Sequence, residues 1–98
     1  MYVISMTVTK EESAALAKAH FEKHQAWFNQ HIEDGHFLLV GPSKTHAMSG
    51  VIIAQAESRS ALDQLISQDA YYPDIAHYDV NEFSADEVSP ALSQFQGK

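Results

Sequence analysis

Apolar and polar positions alternate with a period of two over residues 2–8, as expected for a half-buried first strand. One side of this segment carries Ile4, Met6 and Val8. Thr9, with Glu12 three residues later, matches a capping box, so a long helix is expected to begin there. No Gly or Pro interrupts the chain before Gly35, which predicts a helix end at about Asp34 with Gly35 as its left-handed cap.

A second region of short apolar runs follows this helix. Residues 37–40 are apolar and are closed by Gly41 and Pro42, and residues 50–56 form another strand-like run after a polar segment. The two runs predict a hairpin with a loose loop.

The remaining chain predicts one helix and one strand. Ser60, with Asp63 three residues later, forms another capping box ahead of apolar residues at helical spacing, which predicts a short second helix. Residues 77–83 alternate as a last strand. The tail over residues 84–95 predicts a weak helix limited by Pro90.

The predicted order is β-α-β-β-α-β, which is typical of a ferredoxin-like α+β fold with an antiparallel sheet and both helices on one face. The opposite sheet face would be bare. Two such faces packed together would form a dimeric α+β barrel, so a homodimer is expected. We interpret residues 1–98 as a single α+β domain, with roughly the last 12 residues as a C-terminal extension.

Composition and charge exclude several classes of function. The chain has 98 residues, 45% of them hydrophobic, and six Lys plus Arg against thirteen Asp plus Glu, a formal net charge of -7. This charge disfavours binding to nucleic acid and to anionic membranes. The lack of cysteine excludes disulfides, zinc-thiolate sites and thiol nucleophiles. No leader-like or membrane-spanning run is apparent, which predicts a cytoplasmic protein.

The six histidines are the unusual feature, because His titrates near neutral pH. A helical wheel gives the first helix an apolar face that we assign to the sheet, formed by Ala14, Ala17, Phe21, Phe28 and Ile32. Beside it lie His20, His24 and His31, of which His24 should be the most enclosed, with Trp27 further toward solvent. A half-buried imidazole suits general acid or base catalysis, but a histidine beside an aromatic core more often caps or hydrogen-bonds locally.

Two questions about His24 stay open from the residues alone. His20 and His24 could share a metal ion, but the pair lacks a third nearby ligand, so no metal is predicted. A catalytic imidazole is usually oriented by a carboxylate. Glu33, Asp34 and Asp69 are the candidates for that partner.

Several short motifs together resemble the YCII-related (YciI-like) family of dimeric α+β barrel proteins. They are His24 in the long helix, Asp34-Gly35 at its end, the run from Leu38 to Pro42, and Asp69-Ala70-Tyr71 before the last strand. The resemblance implies a His-Asp pair formed by His24 and Asp69 as catalytic residues. Ala70 stands where the family has a proline, which predicts a less rigid loop here.

The resemblance also implies a function. The expected activity is cofactor-independent proton transfer by the His24-Asp69 pair, of lyase, dehydrohalogenase or isomerase type, on a small oxygenated substrate, aromatic compounds included. Asp34, Gly41, Pro42 and Tyr71 are the predicted substrate-binding residues. The alternative is a non-catalytic dimeric module of the same fold that binds a ligand or assists a larger enzyme.

Overall fold

A computed structural model describes all 98 residues as a four-stranded antiparallel sheet with two helices. The elements are β1 (Tyr2–Val8), α1 (Ala14–Glu33), β2 (Phe37–Pro42), β3 (Ser49–Ala54), α2 (Arg59–Ser67), β4 (Ala76–Glu82) and a 3-10 helix (Pro90–Phe95). The strand order is β2-β3-β1-β4, and both helices lie on one face of the sheet. The predicted ferredoxin-like α+β fold is therefore confirmed.

Side chains of the central strand β1 alternate between the two faces of the sheet. Ile4 lies opposite Ile52 of β3 and Val80 of β4, and all three share the face toward the helices. Their neighbours on this face form the main core, together with Trp27 of α1 and Leu62 of α2. Neither helix is both long and apolar enough to cross a membrane.

The edge strand β2 reaches this core through a bulge. The pairing with β3 shifts between Phe37 and Leu39, so both Phe37 and Val40 lie on the helix-facing side, opposite Ala54 and Ile52. Phe37 is 1% exposed and Leu39 is 67% exposed. The bulge therefore turns Phe37 and Val40, which are three residues apart, toward the same face, while Leu39 points away from the core.

The start of α1 differs from the predicted start at Thr9. The helix begins at Ala14, where the Ser13 hydroxyl accepts a hydrogen bond from the backbone N–H of Leu16. Thr9 instead lies just beyond the end of β1, where its backbone N–H donates to the carbonyl of Ile75 over 2.8 Å. The end is as predicted, since Gly35 has a φ of 85°.

The buried face of α1 also differs from the predicted one. The helix buries His24, Trp27 and His31, whereas Phe21 and Ile32 are 49% and 41% exposed. This face lies roughly 80° around the helix from the predicted apolar stripe, at 100° per residue. It can be buried because its ring N–H groups find acceptors; for example, the Trp27 indole N–H donates to the carbonyl of Leu65 over 2.8 Å. His31, at 3% exposure, is more enclosed than His24.

The cap of α2 supplies a test of this local structure. Ser58 accepts a hydrogen bond from the backbone N–H of Ala61 over 3.1 Å, so the cap lies two residues before the predicted Ser60. Replacing Ser58 with alanine should lower the free energy of unfolding by about 1 kcal/mol. The matched change Ser60→Ala, inside the first turn, should have little effect. Urea denaturation of both variants measures the difference, and equal losses would contradict this assignment.

The tail closes on itself beyond β4. Its 3-10 helix begins at Pro90, which stands in the first turn, where a missing backbone N–H costs little. Pro90 therefore starts the predicted weak helix rather than limiting it. The backbone N–H of Ala85 donates to the carbonyl of Lys98, which ties the two ends of the tail together.

Candidate active site

His24 and Asp69 meet in the structure although 45 residues separate them. Their Nδ1 and Oδ1 atoms are 2.8 Å apart, and the two residues are 7% and 3% exposed. Asp69 reaches α1 from the loop that follows α2. Because a carboxylate only accepts, Nδ1 carries the proton in this bond, and Nε2 is left as the basic nitrogen.

A second side chain holds Asp69 from the opposite side. The Tyr78 hydroxyl on β4 donates to Oδ2 of Asp69, and the backbone N–H of Tyr71 lies 3.4 Å from Oδ1. Burial, and then the neighbouring Asp69 carboxylate, raise the pKa of the Tyr78 hydroxyl far above its usual range. Tyr78 was not among the predicted site residues. The signal for it was its place on the inner side of an alternating strand, where a tyrosine hydroxyl needs a partner.

Aromatic rings enclose the imidazole of His24. The ring of Tyr71 stacks on it with a centroid distance of 4.5 Å and an interplanar angle of 15°, and Phe28 meets it edge-on at 5.3 Å. Trp27 lies 5.5 Å away. Burial, followed by the charge of Asp69, raises the pKa of the Tyr71 hydroxyl. These rings restrict the imidazole to the orientation that Asp69 requires.

A cavity of about 630 Å³ opens beside His24, between α1 and the β2–β3 end of the sheet. The Nε2 atom of His24 has no hydrogen-bond partner within the protein and is left accessible. The lining is largely apolar, which explains the exposure of Phe21 on α1. Gly41, Pro42, His46, Met48 and Tyr71 also line this cavity.

The predicted substrate-binding residues separate into two groups. Gly41, Pro42 and Tyr71 line the same cavity as His24. Gly41 and Gly50 approach closely, since a Cβ atom on Gly50 would lie 3.3 Å from the Gly41 carbonyl oxygen. His46, from the loop between β2 and β3, adds an imidazole to the wall and was not predicted as a site residue. A loop side chain at a pocket mouth leaves no periodic signal in a sequence.

Asp34, in contrast, lies outside the cavity lining, at the C-terminal end of α1. Its Oδ2 is 2.9 Å from Nδ1 of His31, and its Oδ1 is 2.7 Å from Nδ1 of His36. Desolvation opposes the charge of Asp34, but the hydrogen bonds from the His36 backbone and from both imidazoles outweigh it. They hold the pKa of this carboxyl below its usual range. These donor atoms lie within 4.8 Å of one another, so this group could hold a metal ion.

The raised pKa of Tyr78 predicts how stability depends on pH. An unfolded tyrosine loses its proton near pH 10, whereas folded Tyr78 keeps it, so the folded chain binds more protons above that pH. Stability should therefore fall as the pH rises above about 10. Tyr78→Phe should make that fall less steep, while Tyr72→Phe, at an exposed position, should leave it unchanged. Urea midpoints measured between pH 8 and pH 11 would show the difference, and identical slopes in wild type and Tyr78→Phe would contradict it.

The family follows from comparison with known proteins. The profile of the YCII-related domain matches residues 1–84, which include the His24-Asp69 pair and every residue of the cavity lining. The chain belongs to the YCII-related family. This YCII-related chain matches no curated protein sequence at a significant level.

Solved structures share the fold of this YCII-related chain. It superposes on muconolactone isomerase with a TM-score of 0.78 and 15% identity, over 91% of this chain and 93% of the isomerase. It superposes on 5-chloro-2-hydroxyhydroquinone dehydrochlorinase from Burkholderia phenoliruptrix AC1100, in complex with 2,5-dihydroxybenzoquinone, with a TM-score of 0.64 and 13% identity. That match covers 86% of this chain and 94% of the dehydrochlorinase. At these identities the likeness shows the fold.

Proposed function

We propose that this YCII-related protein is a small-molecule enzyme in which His24 moves a proton to and from the substrate. The observation that carries the proposal is the His24-Asp69 pair at the wall of an apolar cavity, with Nδ1 held by the carboxylate and Nε2 accessible. A basic nitrogen with a fixed tautomer, facing a space large enough for a small molecule, is the arrangement that general acid and base catalysis requires.

The proposed step is abstraction of a proton from a carbon next to a carbonyl or hydroxylated ring carbon. The Nε2 lone pair of His24 takes the proton, the C–H bond electrons move into the substrate, and Asp69 stabilises the imidazolium. His24 then returns the proton at a neighbouring carbon, which is an isomerisation. Alternatively the electrons expel a chloride ion, which is an elimination. These steps need no electron carrier, because every electron pair stays in the substrate or leaves with chloride.

The proposed substrates are small oxygenated rings. A cavity of about 630 Å³ accommodates a compound of one or two rings, and its largely apolar lining favours a flat carbon skeleton. The ring of Tyr71 and the backbone at Gly41 and Pro42 would contact such a substrate. The isomerase and the dehydrochlorinase of the same fold act on compounds of this kind, which supports the choice without identifying the substrate.

Deuterium exchange tests the proposal without knowledge of the natural reaction. The protein is incubated in D2O with a panel of lactones, hydroxyquinones and chlorinated hydroxyquinols, and deuterium at substrate carbons is measured by mass spectrometry. We expect at least one member of the panel to exchange faster with the protein than without it. Free chloride is measured in parallel to detect elimination.

The non-catalytic alternative has its own outcome in the same experiment. Binding of panel members with no accelerated exchange and no chloride release would favour a ligand-binding module and would contradict the proposed enzyme. If a panel member shifts the NMR resonance of His24 Nε2, the ligand binds in this cavity. Catalysis and binding without catalysis are then distinguished at the same site.

We further propose that the protein is a homodimer joined through the sheet face opposite the helices. Leu39, Ile53 and Val3 lie side by side on this face, as do Val51 and Ser5. Only 14 of 98 residues are buried in the single chain, which leaves apolar surface that a second copy would cover. Light scattering should give twice the chain mass of 10.9 kDa, and Leu39→Glu should give the single-chain mass. A wild-type protein of single-chain mass would rule this out.

A further inference from the structure

A second polar cluster lies at the C-terminal end of α1. It consists of His31, Asp34 and His36 and will be called the His31 cluster. It lies two helical turns from His24, or about 10 Å along the helix axis. Both imidazoles direct Nδ1 at the same carboxylate, with separations of 2.9 Å and 2.7 Å. The cluster lies outside the cavity lining and has no part in the proposed function.

Both ring nitrogens of His31 face polar side chains. Its Nδ1 lies 2.9 Å from Oδ2 of Asp34, and its Nε2 lies 2.9 Å from the side-chain amide of Gln68. When the Nε2–H donates to the Gln68 amide oxygen, the lone pair of Nδ1 faces the Asp34 carboxylate. A cation between these two groups would therefore be bound by both.

We propose that the His31 cluster binds a divalent transition-metal ion of the Zn²⁺ class. Two imidazole nitrogens and one carboxylate oxygen form a donor set that such ions prefer, with water as the fourth ligand. Tetrahedral ligands about 2.0–2.1 Å from zinc are about 3.3 Å apart. The two imidazole nitrogens lie 2.9 Å and 2.7 Å from separate oxygens of Asp34, and the donor atoms all lie within 4.8 Å of one another, so side-chain rotations would bring them to this spacing. No metal is bound by His20 and His24 in this proposal.

The surroundings suit both entry and retention of the ion. The side chains of His36 and Asp34 are 46% and 37% exposed, which gives an ion access from solvent. His31, at 3% exposure, forms the floor of the site. Gln68 holds the second nitrogen of His31, in the role that outer hydrogen bonds have in fixing a metal-binding histidine.

The bound ion would stabilise the position of the loop after α2, which carries Asp69. Gln68 contacts His31 and its neighbour Asp69 contacts His24, so consecutive residues of one loop hold two histidines of α1. The ring of Trp27 lies between them, 5.5 Å from His24 and 6.2 Å from His31. An ion that fixes His31 therefore stabilises the packing of the loop after α2 against α1.

Zinc titration of the whole, chelator-treated protein tests the inference. Calorimetry should show one Zn²⁺ bound per chain, and Tm should rise with added zinc, because an ion that binds only the folded state stabilises it. Co²⁺ in the same site should give the strong visible absorption of a four-coordinate ion. His36→Ala, at an exposed position, should weaken zinc binding more than tenfold and abolish the rise in Tm. Gln68→Ala should weaken binding by about tenfold.

Matched variants decide between this cluster and other histidines. His77→Ala removes an exposed histidine on β4 and should bind zinc like wild type. No zinc binding by wild type, equal binding by wild type and His36→Ala, or a loss confined to His24→Gln would each overturn the proposal. So would NMR showing a proton on Nδ1 of His31 in the presence of zinc. A folded spectrum of His36→Ala confirms that any loss is local.

Discussion

Replacement of His24 by glutamine is expected to lower the rate of substrate deuterium exchange by roughly 10²–10⁴-fold, the usual contribution of a positioned general base. The glutamine amide can still donate to Asp69, but it has no basic nitrogen in the position of Nε2. The imidazole is a wall residue of the cavity, so its loss removes the base without emptying the core. The rate is measured on whichever panel compound exchanges with wild type.

Two controls show whether a loss of exchange is specific to the His24 imidazole. His77→Ala, at an exposed position on β4, should exchange at the wild-type rate. The amide spectrum of His24→Gln should match that of the folded wild type, and His24→Ala should show the same loss of rate. A folded His24 variant with undiminished exchange would refute the assignment of His24 as the base.

Periodicity predicted the strands and helices because it depends on which residues face the core, and local spacing records that directly. It failed for the face of α1, where the buried side chains carry polar ring atoms. Trp27 was assigned toward solvent, yet its N–H finds the carbonyl of Leu65 on α2. Such burial depends on a partner 38 residues away. A helical wheel contains no information about that partner.

The predicted helix caps were wrong for a related reason, because two local hydrogen-bonding patterns compete for the same residues. Ser60 and Asp63 fit a capping box, but Asp63 instead pairs with Arg59 over 2.9 Å, and Ser58 caps the helix. Glu12, expected to reach back to Thr9, lies 2.7 Å from Nδ1 of His20. Both patterns are consistent with the sequence. Which one forms depends on where the preceding segment leaves the sheet.

The candidate site could be predicted only in part. The resemblance paired His24 with Asp69, and the structure brings these two residues together. It does not bring Asp34 to the same cavity, since Asp34 is held by His31 and His36. Tyr78 and His46 were missed because their roles depend on contacts between distant strands and loops. Residue order alone does not specify those contacts.

Removal of the Asp69 carboxylate should produce the largest loss of stability among these variants. In Asp69→Ala, the Nδ1–H of His24 and the hydroxyl of Tyr78 both lose their acceptor within the protein interior. A buried donor without a partner costs about 1–3 kcal/mol, so we expect a loss of about 3 kcal/mol in the free energy of unfolding. That is a large part of the roughly 5–15 kcal/mol typical of a folded domain. Asp74→Ala, at an exposed position in the same loop, should change stability little.

The double variant Asp69→Ala, Tyr78→Phe separates lost hydrogen bonding from a general disturbance of the loop. Removal of the Tyr78 hydroxyl leaves one unsatisfied donor fewer, so the double variant should be less destabilised than the sum of the two single variants, by about 1 kcal/mol. Urea denaturation at neutral pH measures all three. Additive losses would mean that Tyr78 and Asp69 act independently. If Asp69→Ala alone does not fold, Asp69→Asn replaces it in the cycle, because asparagine keeps the volume and one acceptor oxygen.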